Sequence, residues 1–192
     1  RLQPFHALEH SRPTNRLEEI REFKRRRGDR YFILGWVEGP VAEYADLRGV
    51  SNAAMDFLDD PDTVLKAMAV IVDAALEFIT LQVEAGAHAI GIGDAFCSQI
   101  GPKLYRKLAW EGERRLVRHI QHLGAKAKLH ICGNTQALLP DMIRTGADIV
   151  DGYGELDGDQ TLVLEQILVD NELAHLALRM VEGVDGREGA EL

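Results

Sequence analysis

The stretch LVRHIQHLGAKAKLHICGN, residues 116–134, holds the pattern that decides the fold. An apolar stripe at helical spacing ends at Gly124, and a strand-length apolar run, residues 126–132, follows at once. Glycine suits the left-handed conformation that closes a helix. The same order of helix, Gly-Ala pair and apolar run recurs at Gly86 and Gly146. Helices that alternate with strands in this way indicate a parallel α/β sheet, either doubly wound or closed into a barrel.

Caps and apolar periodicity predict the remaining elements. The predicted helices are residues 16–27, with Asn15 and Glu18 as a capping box, a long helix from Asp60 and Pro61 to Gly86, and a helix from Pro102 to Gly124. A shorter helix is predicted over residues 135–145, with Asn134 as its cap and Pro140 as a kink or a late start. The predicted strands are residues 31–37, 88–93, 126–132 and 148–151. Beyond residue 151 the sequence predicts a glycine-rich loop, a helix over residues 162–180 and a flexible polar tail, 182–192.

Length and charge limit the class of protein. The 192 residues suffice for one domain, which we assign to residues 1–192, but about four strands fall short of a full barrel, which has eight and typically about 250 residues. A net charge of −9 argues against a nucleic-acid surface. Without an apolar run of about 20 residues or a signal-peptide core, we expect a cytoplasmic protein with no membrane contact. Its two cysteines are then expected to be free thiols or metal ligands.

Polar side chains follow the predicted strands at their carboxyl ends, where parallel α/β proteins collect reactive groups. These residues are Glu38, Asp94, Cys97, His130, Cys132 and Asp151. His130 and Cys132 point to the same side of one strand and offer the nitrogen and sulfur ligands that zinc accepts, with Cys97 as a candidate third ligand. A buried histidine and small core cysteines are the alternative.

The three carboxylates admit several roles. Asp94, Asp151 and, with weaker support, Glu38 are candidates for proton carriers, for partners of His130 or for substrate anchors. Solvated carboxylates or helix caps are the equally open alternatives.

Four stretches resemble the uroporphyrinogen decarboxylase superfamily. They are GWVEGP (35–40), GIGDA (91–95), HICGN (130–134) and GADIVD (146–151), and the resemblance runs from about Leu34 to Asp151. The His-x-Cys-Gly-Asn element is similar to that of the cobamide-dependent branch, the methylcobamide:thiol methyltransferases. The resemblance implies a (β/α)8 TIM barrel, of which this chain holds a part.

The resemblance also implies a chemistry. In that branch, zinc is held by the histidine and cysteine of this motif and by a later cysteine, and it presents a thiolate to the methyl group of a corrinoid. Carried over, His130 and Cys132 are zinc ligands, and the partners are a corrinoid protein and a small thiol or pterin acceptor. No cysteine follows Cys132, so the third ligand must be Cys97 or a residue elsewhere.

Two other functions stay open. A metal-free decarboxylase would use Asp94 to steady a protonated pyrrole, but the family's arginine-rich motif is absent from residues 1–40, and Tyr44 lies too close to Pro40 for the family's tyrosine segment. A non-catalytic barrel fragment would act by association, and its exposed strand edges favour a homodimer.

Overall fold

The computed structural model describes residues 6–28, 30–156 and 160–168. After a short 3-10 helix, Ala7–Glu9, the helices are α1 Ser11–Arg27, α2 Pro40–Arg48, α3 Val50–Asp59, α4 Pro61–Glu84, α5 Cys97–Leu108, α6 Trp110–His122 and α7 Leu139–Arg144. The strands are β1 Leu34–Glu38, β2 Ala89–Gly93, β3 Lys126–Asn134, β4 Ile149–Leu156 and β5 Gln160–Leu168. None of the helices within these ranges combines the length and the apolar character that crossing a bilayer requires.

The strands form one sheet in chain order. β1 to β4 run parallel to one another, and β5 adds to β4 in the antiparallel direction. The predicted α/β class with a parallel sheet is therefore confirmed. The register aligns Glu38 with Gly93, Gly93 with His130, and His130 with Asp151, so the carboxyl ends of four strands meet at one edge.

The two faces of the sheet differ in character. Leu129 and Ile131 of β3 are buried in the same core cluster as Ile120 of α6 and Ile79 of α4. Alternate residues of a strand point to opposite faces, so Lys128 and the other even-numbered positions of β3 lie on the face away from that core. The helices thus enclose an apolar core against one face, and the other face carries the polar residues.

The glycines that end the helices behave as the sequence predicts. Gly86, Gly124 and Gly146 have φ of 113°, 80° and 84°, in the left-handed region that side chains with a Cβ avoid. The start of α4 also agrees, since Asp60 accepts a hydrogen bond from Thr63 N at 3.1 Å.

Two predicted caps are wrong. α1 begins at Ser11, so Asn15 lies inside the helix, because Pro13 is tolerated in a first turn and does not delay the start. α7 begins only at Leu139, next to Pro140, and Asn134 is the last residue of β3. Its side chain accepts from Gln136 N at 3.1 Å and so stabilises a turn instead.

Other elements also depart from the sequence-based prediction. Two unpredicted helices, α2 and α3, are separated by Gly49, whose φ is 84°. The single helix predicted from Pro102 to Gly124 is two helices, α5, which starts earlier and kinks at Gly101, and α6. β4 continues to Leu156 where a loop was predicted, and residues 160–168 form β5 where a helix was predicted to begin. A short apolar run is compatible with a helix or a strand, and here its pairing with β4 selects the strand. The predictions for residues 169–180 and 182–192 lie outside the described residues.

Candidate functional site

A histidine, an aspartate and a lysine meet on the polar face of the sheet. His130 Nδ1 lies 3.2 Å from Asp151 Oδ2, and Lys128 Nζ lies 2.8 Å from the same oxygen. The pairing of β3 with β4 sets His130 opposite Asp151, and Lys128 is two residues before His130 on the same side. Strand register therefore builds this triad from residues far apart in sequence.

An indole ring forms the apolar wall beside His130. The Trp36 ring centroid lies 6.0 Å from that of His130. A Cβ at Gly91 would come within 2.3 Å of the ring, and one at Gly93 within 2.6 Å, so these glycines let the indole lie flat on β2. Glu38 Oε1 accepts from Trp36 Nε1 at 3.0 Å and fixes the orientation of the ring. The Glu38 carboxylate, proposed from the sequence as a site residue, is thus hydrogen-bonded to Trp36.

We expect Gly91→Ala to displace this indole and to lower the free energy of unfolding by about 1–3 kcal/mol, the cost of overpacking a filled space. The added methyl group would overlap Trp36 Cε3, which lies 2.3 Å from the ideal Cβ position. Denaturant titration gives the energy, and the tryptophan emission spectrum reports the movement of the ring. In a Trp36→Leu background the same change should cost much less. An equal loss in both backgrounds would show that the clash with Trp36 is not the cause.

Cys132 and His130 supply the donor atoms of the candidate metal centre. They lie two residues apart on β3, and the Cys132 side chain is exposed as a free thiol. His130 Nδ1 is buried and its contact with Asp151 has the distance of a hydrogen bond but not its angle. The histidine side chain as a whole is 25% exposed. An imidazole nitrogen and a cysteine sulfur two residues apart fit zinc in donor chemistry, with two of the three protein ligands that a catalytic zinc has.

Asp94 lies in a different, fully enclosed environment. Its Oδ1 accepts from Ala42 N at 2.7 Å and its Oδ2 from Val41 N at 3.4 Å, and these N–H groups belong to the first turn of α2. Gly39 allows this approach, since a Cβ there would come within 2.5 Å of the aspartate. Asp94 is 0% exposed. It is therefore a buried cap for α2.

Three further side chains complete this buried cluster. Tyr105 OH donates to Glu113 Oε2, and ligand atoms of Asp94, Cys97 and Glu113 lie within 4.8 Å of one another. Burial raises the pKa of Asp94 to about 7 against the two α2 amides that lower it, and burial together with the Asp94 charge raises the pKa of Glu113 well above its usual value. Burial and the same carboxylates also raise the pKa of the Cys97 thiol.

The cluster is best described as one proton held between two carboxyl groups. Glu113 Oε1 is buried and has no hydrogen-bond partner within the described residues. A protonated Glu113 can donate to Asp94, which then remains the single anion at the N-terminus of α2. Mutual repulsion prevents both groups from ionising in so small a space.

The structure therefore separates the residues that the sequence proposed together. His130, Cys132 and Asp151 lie on the polar face, with Glu38 beside them through Trp36. Among the described residues, the three whose ligand atoms come within 4.8 Å of one another are Asp94, Cys97 and Glu113, so Cys97 is not grouped with His130 and Cys132.

Sequence reasoning missed two residues of these clusters that it could have found. Glu113 stands three, four and seven residues before Leu116, Val117 and Ile120, at an apolar position of the α6 stripe, and a charge there signals a buried partner. Lys128 precedes His130 by two residues in a strand and must share its face.

Comparisons with known proteins agree with this fold. The model of the uroporphyrinogen decarboxylase (URO-D) family matches residues 1–159. The methylcobamide:CoM methyltransferase MtaA of Methanosarcina barkeri is 30% identical over 145 residues, which are 74% of this chain and 42% of that protein. The uroporphyrinogen decarboxylase of Gloeobacter violaceus is 26% identical over 139 residues, 68% of this chain and 40% of that protein.

A solved structure extends the similarity to three dimensions. A methyltransferase from Methanosarcina mazei superposes with a TM-score of 0.70 at 27% sequence identity, over 75% of this chain and 42% of that one. The chain thus spans about two fifths of the length of the relatives that it matches. Because the family match covers most of its residues and the fold agrees, the chain belongs to the uroporphyrinogen decarboxylase family.

Proposed function

We propose that this chain contributes the zinc-binding strand of a methyltransferase that moves a methyl group between a corrinoid protein and a small thiol or pterin acceptor. The observation that carries the proposal is that His130 and Cys132 lie two residues apart on β3, with Asp151 next to the imidazole. Relatives named as methylcobamide:CoM methyltransferases support methyl transfer as the reaction.

Each residue of the polar face has a role in this proposal. His130 and Cys132 would hold the ion, which when bound supplies the Lewis acidity that turns an acceptor thiol into a thiolate nucleophile. Asp151, 3.2 Å from Nδ1, would accept the remaining N–H of the imidazole and so fix the ring once the metal is bound. Trp36 excludes water on one side of His130. A third protein ligand would come from another part of the whole protein, since Cys97 lies in the enclosed Asp94 cluster.

The geometry gives less support to a decarboxylase that acts through Asp94. A carboxylate that steadies a pyrrole intermediate must touch the substrate, and Asp94 is fully buried with both oxygens facing the amides of α2. Methyl transfer is therefore the function that we carry forward.

Metal content of the purified whole protein, which includes the part expected to supply the third ligand, tests this proposal. We expect zinc near one equivalent by mass spectrometry after equilibration with zinc and gel filtration, and its loss in both His130→Ala and Cys132→Ser. His122→Ala is the matched control, because His122 is exposed near the end of α6 and should leave zinc unchanged. Cys97→Ser should also retain zinc, and a loss there would return Cys97 to the ligand set.

Zinc that is absent from the wild type, or present equally in His130→Ala, would contradict the proposed site. A bound ion that depends on His130 and Cys132 would justify assays of methyl transfer to a thiol with a methylated corrinoid protein as donor.

A further inference from the structure

We propose that Lys128 is a positioning residue: through Asp151, it holds the His130 ring so that Nδ1 carries the proton and Nε2 is left as the metal-binding atom. This inference rests on the proposed function for its role, but its geometry belongs to the protein without metal.

Lys128 and Asp151 form an ion pair that is largely shielded from water. Their side chains are 16% and 14% exposed, and Nζ lies 2.8 Å from Oδ2. An ion pair in such a place is far less screened than one at the surface, and removal of one partner leaves the other charge uncompensated. Lys128 therefore determines where the Asp151 carboxylate lies.

The oxygen that Lys128 holds is the one that faces His130. Asp151 Oδ2 is 2.8 Å from Lys128 Nζ and 3.2 Å from His130 Nδ1. Nδ1 is buried, and this carboxylate oxygen is the charged acceptor that lies close to it. A neutral imidazole that carries its proton on Nδ1 keeps its lone pair on Nε2, the nitrogen that does not face Asp151.

The same strand provides a matched control pair. Lys126 Nζ lies 2.8 Å from Asp148 Oδ1, so β3 carries two lysine–aspartate bridges of equal length. The Lys126 side chain, however, is 63% exposed, and this bridge lies at the amino end of β3, away from His130. An exposed bridge of this kind contributes little. Lys126→Gln therefore removes the same kind of charge without touching Asp151.

Nitrogen NMR of the metal-free, ¹⁵N-histidine-labelled chain tests the inference directly. The His130 signals are assigned by their absence in His130→Ala. We expect the Nδ1–H form to dominate in wild type and in Lys126→Gln, a mixture of the two tautomers in Lys128→Gln, and a return to the wild-type pattern in Lys128→Arg. A loss of packing alone would not be rescued by arginine in this way. A Lys128→Gln tautomer ratio equal to that of the wild type would overturn the proposal.

Zinc affinity provides the second readout, measured by competition with a chromophoric chelator. We expect Lys128→Gln to bind zinc about 10–100-fold more weakly, the usual effect of losing a group that orients a ligand, and Lys126→Gln to bind like wild type. Equal affinities in a zinc-binding protein would also overturn the inference. If the wild type bound no zinc, the proposed function would fail, while the tautomer measurement would still decide the role of Lys128.

Discussion

Replacement of Asp94 by alanine is expected to lower the free energy of unfolding by about 3–5 kcal/mol, the cost of breaking a buried charged network. The change would leave the Val41 and Ala42 amides without their acceptor, and it would strip Glu113 of the partner for its proton. It would also open a cavity at the junction of β2 and α2. Asp94 is completely enclosed, so bulk solvent does not hydrate the freed amides as it would at the surface.

Urea or guanidinium titration followed by circular dichroism measures this loss. Asp60→Ala is the matched control, because Asp60 also caps a helix, α4, but does so in contact with solvent. Its loss should be clearly smaller, since water can hydrate the freed amide. Similar losses in the two variants would mean that Asp94 acts as an ordinary cap and that the buried cluster has no special stability.

The second large effect concerns pH. We expect the wild-type chain to lose stability as the pH rises from about 5 to 8, at up to about 1.4 kcal/mol per pH unit for each proton involved. In the unfolded chain both carboxyl groups have lost their protons by pH 6, since their ordinary pKa values are 3.8 and 4.5. In the folded chain, burial raises the pKa of Asp94 to about 7 and raises that of Glu113 well above its ordinary value, so the pair retains a proton.

The sign follows from counting protons. Above pH 5 the folded state binds more protons than the unfolded state, so raising the pH favours unfolding. Glu113→Gln is the matched variant, because an amide keeps the shape, accepts from Tyr105 and can donate to Asp94 without titrating. We expect it to differ from wild type by about 1 kcal/mol or less at pH 6 and to have a flatter profile up to pH 8. Denaturant titrations at a series of pH values measure this, and parallel profiles would exclude the shared proton.

The repeated unit could be predicted from sequence because its signals are local. A helix that ends at Gly86, Gly124 or Gly146 needs a left-handed residue whatever surrounds it, and the apolar runs that follow are strands of the expected length. The same locality made Asp60 recognisable as a cap. These features fix the α/β class and place His130 and Cys132 on one side of one strand.

Where a segment's residues fit two kinds of secondary structure equally well, the sequence could not decide between them. Residues 160–168 have an apolar run that fits a helix or a strand, and only the ladder with β4 selects the strand. Asn134 has the character of a helix cap, yet the following proline delays α7 by several residues and the asparagine caps a turn instead. The helices α2 and α3 are short and have no long periodic pattern to reveal them.

The sequence by itself determined the class of fold, the alternation of helices with the strands β1 to β4, and the two metal-ligand candidates of the HICGN stretch, because all of these depend on neighbours within a few residues. Only the tertiary structure decided on which side of the sheet each carboxylate lies. The register of β3 and β4 places Asp151 beside His130 and Lys128. The packing of α2 and α6 instead encloses Asp94, Cys97 and Glu113. Burial and charge pairing arise between distant segments, and for that reason they set the chemistry of these residues only once the chain is folded.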